Sequence, residues 1–154
     1  MSTLIILSGI PGSGKSTYAK KLLKLHPDWE YVSRDEVRYQ YVSDQAHYYD
    51  HEADVYKEFC NRIDMYLLNG KTVIADATHI NAASRNKLVK NLSAQHYKKI
   101  IIVMGTPFEE CMKRNATREG ITRVPDDAMY RMRNKFKMPN NFIEEFDKVV
   151  TVKV

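Results

Sequence analysis

Residues Gly9-Ile10-Pro11-Gly12-Ser13-Gly14-Lys15-Ser16-Thr17 match the pattern G-x-x-x-x-G-K-S/T at every required position. The pattern constrains the fold because it works only as the turn between a buried strand and a helix N-terminus. Both flanks are present. Leu4-Ile5-Ile6-Leu7 is an apolar run that reads as a buried strand, and Lys15 to Leu25 is amphipathic at helical spacing. The glycines let successive backbone N–H groups wrap a triphosphate, and the helix dipole favours an anion there. Gly12, Ser13, Gly14, Lys15, Ser16 and Thr17 are therefore the candidate nucleotide-binding residues. In this motif the lysine reaches the β- and γ-phosphates, and the serine hydroxyl ligates Mg²⁺.

Four further apolar, mostly β-branched runs follow: Tyr31 to Val32, Thr72 to Ala75, Ile100 to Met104 and Val149 to Val154. Helical patterns separate them. The clearest runs from Glu52 to Leu68, with Tyr56, Phe59, Cys60, Ile63, Tyr66 and Leu67 at helix spacing and Asn69-Gly70 as its stop. The alternation predicts an α/β fold, a five-stranded parallel sheet with helices on both faces. Without a repeat or linker, the 154 residues read as a single domain, 1–154. At 44% hydrophobic and 28% charged, the composition is that of a soluble globular protein. No apolar run approaches a membrane span, and no leader pattern precedes the first strand. A cytoplasmic protein without a membrane partner is the expectation. Cys60 and Cys111 fall in helical patterns without metal-ligand spacing, so buried free thiols are expected.

In such sheets ligands bind beyond the carboxyl ends of the strands. The second strand end gives Ser33-Arg34-Asp35-Glu36-Val37-Arg38. Asp35 suits two roles, proton acceptor for an attacking hydroxyl or helix N-cap, and the neighbouring arginines favour the first. Arg38 is placed to hold an acceptor phosphate in a fork. The third strand end gives Asp76-Ala77-Thr78-His79. Asp76 suits Mg²⁺ held through water, substrate orientation, or a structural carboxylate bonded to loop amides. Thr78 suits substrate orientation, and His79 reads as a surface or cap histidine. Arg85, in the next helix, faces either the acceptor or solvent. After the fourth strand, helix, basic turn, Gly120, Pro125 and a second helix read as a mobile lid at about 114–127. Arg114, Arg118 and Arg123 are placed to close on a transferring phosphoryl group. From Cys111 to Met138 there are eight Lys or Arg against three Asp or Glu, an excess matching the whole chain's net +5. A polyanionic ligand fits that segment. The tyrosines around Asp35 read first as packing residues, with base stacking the second reading.

GIPGSGKSTYA, SRDEVR, DATHINAASR and KRNATREGITRVPDDAMYRM occur in this order. Together they resemble the kinase domain of phage-type polynucleotide 5′-hydroxyl kinases, within a wider group of small P-loop kinases. The resemblance runs from the first strand to about Phe136. It implies a P-loop kinase fold with an arginine-bearing lid, ATP as donor, and Mg²⁺ as cofactor. It implies Asp35 as general base and Arg38 as the contact to the acceptor's 3′-phosphate. Lys15 and Ser16 would serve the donor phosphates and metal, and Arg118, supported by Arg114, the transition state. With Asp76, Thr78 and Arg85, these residues make up the expected acceptor and donor sites. Two departures stand out. The phage enzyme's aspartate directly precedes the threonine, whereas here Ala77 does and Asp76 lies one step earlier. The lid is also about one residue longer between Arg118 and Pro125. No Asp-x-Asp-x-Thr nucleophile is present, so no 3′-phosphatase activity is expected.

The expected function is ATP-dependent phosphorylation of the 5′-hydroxyl of a DNA or RNA end. The alternatives are the same chemistry on a nucleoside, sugar or nucleotide sugar, and a nucleotide-binding regulatory or nucleic-acid-binding module.

Overall fold

β1 (Thr3–Ser8) is apolar on both faces and buried on both, which only a central strand of a doubly covered sheet permits. The computed structural model describes residues 1–154. The sheet order is β2 (Glu30–Ser33), β3 (Thr72–Asp76), β1, β4 (Lys98–Met104), β5 (Lys148–Val152), all parallel. This is the expected five-stranded α/β sheet of a P-loop kinase. β2 extends one residue beyond Tyr31 and Val32 at each end, because Glu30 and Ser33 pair through backbone with Val73 and Asp76. β5 stops at Val152 rather than Val154, because β4 ends at Met104, its partner.

Alternate side chains sort to opposite faces. Leu4 and Ile6 pack with Val73, Ala75, Ile101 and Val103 against α3 (Glu52–Leu68) and α4 (Ala82–Lys90). From α3 the buried residues are Val55, Phe59, Cys60, Ile63 and Leu67, mostly four apart, so one stripe meets the sheet. Ile5, Leu7, Ile74, Ile102 and Met104 face α1 (Lys15–Leu25), where Ala19 is fully buried. Each large side chain so buried contributes about 2 kcal/mol. The Gly70 N–H bonds to the Leu67 carbonyl and the Lys71 N–H to the Tyr66 carbonyl, ending α3 in a Schellman turn. Gly70 takes the positive φ of 75° that this turn requires.

Most of the remaining elements follow the carboxyl ends of the strands. α2 (Arg34–Tyr39) follows β2 directly, and a 3₁₀ turn at Gln45–His47 leads to α3. α5 (Phe108–Ala116), a 3₁₀ turn at Gly120–Thr122 and α6 (Asp126–Lys135) follow β4. α7 (Asn141–Glu144) precedes β5 and lies towards the amino ends of β4 and β5, where Lys99 Nζ donates to the Glu144 carbonyl. Ile10, Cys111 and Met129 form a small core that seats α5 and α6 beside the glycine-rich loop. Cys60 and Cys111 are free and buried. No helix is long and apolar enough to cross a membrane.

Candidate phosphoryl-transfer site

The glycine-rich loop leaves β1 and turns into α1. Gly12 and Gly14 take φ of 82° and 95°, a region open chiefly to glycine. A Cβ at Gly12 would stand 2.5 Å from the Cys111 carbonyl oxygen, which is backbone and has no room to move. Gly14 is the N-cap of α1, and no side chain caps that helix. Its first-turn amides are therefore left for an anion. Ser13 is buried, its Oγ has no partner, and its carbonyl accepts a 2.7 Å bond from Thr106 Oγ1. That bond ties the loop to the end of β4. Lys15 Nζ donates to the carbonyls of Gly9 at 2.8 Å and Ile10 at 3.1 Å. Burial lowers its pKa, while the charges of Asp76 and Asp35 pull it up. Thr17 lies exposed in the first turn. A triphosphate suits this cradle: amides, one buried ammonium, and no acidic side chain in the first turn of α1.

Asp76 closes β3 and is buried. Its Oδ2 accepts from Ser16 Oγ at 3.1 Å and from the Tyr31 hydroxyl at 2.5 Å. A hydroxyl beside a carboxylate fits Mg²⁺, which takes few protein oxygens and fills its other positions with water and phosphate. Burial and the Asp76 charge push the Tyr31 hydroxyl's pKa up, so it stays a donor. Tyr31, in a strand otherwise read only as core, supports Asp76 in a way its sequence context did not signal.

Ser33 caps α2, its Oγ accepting from the Glu36 N–H at 3.2 Å. Asp35 is therefore not the cap, and its side chain is 57% exposed. Arg38 holds Asp35 through Nη1, which also donates to the Tyr48 hydroxyl at 2.8 Å. Tyr48 in turn donates to Asp35 at 3.3 Å, and its ring lies 4.3 Å from the guanidinium. Glu52, at the start of α3, takes Arg38 Nε at 2.6 Å and Nη2 at 3.1 Å, and Arg34 at 2.8 Å. Burial works against the charge on Arg38, yet the bonds to Glu52 and the charges of Tyr48 and Asp35 outweigh it and raise the pKa. Burial likewise opposes the Glu52 charge, and Arg38 and Arg34 overcome it, holding the carboxyl below its usual range. The fork expected for an acceptor phosphate is thus already filled by protein. Tyr48 and Glu52 complete this network from distant positions, and neither stood out by sequence spacing.

Two expectations at the third strand end are corrected. His79 is not at the surface: it is buried with a positive φ of 41°, and its Nδ1 lies 2.8 Å from the Leu7 carbonyl. Burial lowers its pKa to about 4, against the bond to Leu7. Arg85 faces neither acceptor nor solvent. It is 1% exposed, pairs with Glu144 at 2.6 Å, and donates to the carbonyls of His79 and Lys137. It pins the α6–α7 connection to the loop after β3, a role only tertiary packing reveals. Thr78 sits at the mouth of the glycine-rich loop, its carbonyl accepting the Gly9 N–H at 2.9 Å.

Of the residues expected to form a lid, 114–127, those up to Ala116 belong to α5 and those from Asp126 to α6. Asn115 is buried and bonds Val124 twice, Nδ2 to its carbonyl at 2.7 Å and Oδ1 from its N–H at 3.0 Å. This amide clamp closes a loop of residues 117–125 between α5 and α6. Arg114 lies below the clamp and donates to the carbonyls of Gly12 at 3.3 Å and Val154 at 2.5 Å. Arg118 is exposed at the start of the loop, where its charge acts on both Lys15 and Tyr39. Arg123 is exposed as well, and its carbonyl accepts from the Gln45 side chain. The 117–125 loop therefore touches the segment that carries Tyr48.

Residues 4–139 match the profile of AAA_33, described as an AAA domain. Among curated proteins, the chain is 26% identical over 152 residues to the putative bifunctional polynucleotide kinase/RNA ligase of Autographa californica nuclear polyhedrosis virus, covering 90% of the chain. It is 24% identical over 160 residues to Protein kti12 of Schizosaccharomyces pombe, covering 97% of the chain. The chain spans 21% of the first relative's length and 56% of the second's. Among solved structures, the Pnkp1/Rnl/Hen1 RNA repair complex matches at 27% identity and TM-score 0.71, over 87% of this chain and 43% of that one. Chaetomium thermophilum Kti12 in complex with ADP-AlF3 matches at 17% identity and TM-score 0.71, over 97% and 88%. At that identity the second match speaks for the fold alone. With a glycine-rich loop shaped for nucleotide phosphates and a profile match across most of its length, the chain belongs to the AAA domain family AAA_33 and has a P-loop kinase fold.

Proposed function

We propose that the chain is an ATP-dependent kinase that phosphorylates the 5′-hydroxyl of a DNA or RNA end. The observation that carries this reading is the exposed Asp35 carboxylate, held by Arg38 and Tyr48 and close enough to Lys15 for their charges to interact. Phosphoryl transfer needs positioning, charge neutralisation and one proton acceptor. Asp35 takes the proton of the 5′-hydroxyl as its oxygen bonds to the γ-phosphorus and the bond to the ADP oxygen breaks. Lys15 and Arg118 neutralise the charge that develops on the phosphoryl oxygens. Ser16, with Asp76 behind it, would hold Mg²⁺, whose positive charge further offsets the donor phosphates. The viral relative named for polynucleotide kinase and the match to an RNA repair complex support this acceptor class over other alcohols.

A second reading has one observation in its favour. Arg38 is engaged by Glu52, Asp35 and Tyr48, which leaves no free fork for an acceptor phosphate. That favours a small unphosphorylated acceptor. The test is incubation with γ-labelled ATP, Mg²⁺ and a panel of 5′-hydroxyl RNA, DNA, nucleosides and sugars. Label in the oligonucleotides is the expected result. Label in small acceptors alone, or slow phosphate release with no labelled acceptor, overturns the proposal.

A further inference from the structure

The Tyr31 side chain has one polar atom, and it is taken up by the carboxylate that closes β3. Strand geometry explains why. Tyr31 of β2 pairs with Ile74 of β3, and Ile74 lies two residues before Asp76. Alternate residues of a strand share a face, so Tyr31 and Asp76 stand on one side of the sheet, about 6.6 Å apart along it. The ring packs against the apolar cluster of Ile5, Leu7, Ala19 and Ile74, and its hydroxyl reaches the strand end. There it donates to Asp76 Oδ2 at 2.5 Å. The same oxygen accepts from Ser16 Oγ at 3.1 Å.

A carboxylate has about four acceptor positions, two on each oxygen. Both positions on Asp76 Oδ2 are filled by hydroxyls, while Oδ1 has no protein donor. Asp76 therefore offers one free oxygen rather than two. Among the charged groups that act on the Lys15 ammonium, Asp76 is the strongest, which places the carboxylate beside the phosphate cradle.

A single carboxylate oxygen separates cations. Mg²⁺ demands a near-ideal octahedron and keeps several waters, so one oxygen suits it. Ca²⁺ takes roughly six to eight oxygens and accepts both from one carboxylate. With Oδ2 filled, that two-oxygen grip is blocked. Removing the tyrosine hydroxyl empties one position on Oδ2 and opens it.

We propose that Tyr31 is a positioning residue that sets the cation choice of the site: by occupying Asp76 Oδ2 it leaves one carboxylate oxygen, which favours Mg²⁺ over Ca²⁺. This rests on the reading of Ser16 and Asp76 as the metal-binding pair and adds selectivity to it. Tyr31 acts through Asp76 and not on the nucleotide.

The test is the affinity for fluorescent N-methylanthraniloyl ATP, measured without acceptor in excess Mg²⁺, in excess Ca²⁺ and in EDTA. Wild type is compared with two variants. Tyr31→Phe keeps the ring and its packing. Tyr18→Phe removes a hydroxyl from the same apolar cluster, one that makes no bond to Asp76. Wild type is expected to bind the Mg²⁺ complex at least about tenfold tighter than the Ca²⁺ complex. Tyr31→Phe is expected to narrow that ratio by about fivefold or more, chiefly through tighter Ca²⁺ binding, with Tyr18→Phe at the wild-type ratio. General loosening of the fold weakens both complexes and leaves the ratio where it was. A Tyr31→Phe ratio equal to wild type, or a Tyr18→Phe ratio that falls as far, overturns the role of Tyr31 and leaves the metal pair standing. A wild type that binds both complexes alike does the same. Affinity in EDTA equal to that in Mg²⁺ overturns the metal pair itself, and the role of Tyr31 with it. Binding is read without transfer, so the acceptor assignment fails or stands separately.

Discussion

Glu52 grips Arg38 at 2.6 Å and 3.1 Å, and through it sets the orientation of the proposed base Asp35. The partners come from α3 and α2, so the first turn of one helix braces the last turn of another. Glu52→Gln keeps the shape and removes the charge. The expected outcome is a stability loss of about 1–2 kcal/mol in urea denaturation, as for a charge-assisted bond weakened in a half-buried site. It also releases part of the Arg38 fork. Acceptors bearing a phosphate next to the reacting hydroxyl should then gain about tenfold in relative KM over unphosphorylated ones. An unchanged acceptor ratio would mean that Arg38 does not reach the acceptor at all.

Asp35→Asn is expected to lower kcat by about 10²-fold or more while nucleotide still binds, as removal of a general base does. Steady-state kinetics beside a nucleotide-binding titration checks it. Near-normal turnover would remove Asp35 from the chemistry. Arg118→Ala should reduce kcat by about 10²-fold and affect ATP affinity far less, because a lid arginine acts on charge that develops during transfer. The reverse split would make Arg118 a ground-state contact.

His79 gives a pH prediction with a definite sign. Its pKa falls from an ordinary 6.5 to about 4 in the folded protein, through burial. Between those values the unfolded chain binds the extra proton, so folding stability drops as pH falls from about 7 to 4 and this contribution levels off below. The full effect is about 3 kcal/mol. Urea denaturation at several pH values, wild type against His79→Gln, should show the difference between the two shrink by that amount across the window. Parallel curves would show that the imidazole is not buried neutral.

Arg85→Met should destabilise the fold by about 3–5 kcal/mol, because it leaves the Glu144 carboxylate buried without its partner. Burial raises the Glu144 pKa, and the bonds from Arg85 and the Asn140 N–H, with the charges of Arg85 and Lys99, together more than reverse this, Arg85 contributing the largest share. Adding Glu144→Leu should recover at least about half of the loss in thermal denaturation. A double variant no better than the single would show that the carbonyls of His79 and Lys137, rather than the ion pair, need Arg85.

Local patterns determined a good deal by themselves. The glycine-rich loop, the α1 and α3 bounds and the five parallel strands were legible because each rests on short-range physics: glycine conformations, helix periodicity, and apolar runs long enough to be buried on both faces. Asp35, Lys15 and Ser16 could be picked out for the same reason, since the motif and the strand end sit beside them in sequence. Tertiary structure alone decided the rest. Burial turned Arg85 from an acceptor candidate into a brace for Glu144, and His79 from a surface residue into a neutral core histidine. It brought Glu52 and Tyr48 to Arg38, and Asn115 to Val124, across gaps that no periodicity spans. A residue's charge and shape are written in the chain, but whether its hydrogen-bonding capacity is spent on protein or left for a substrate depends on which distant groups folding brings within about 3 Å.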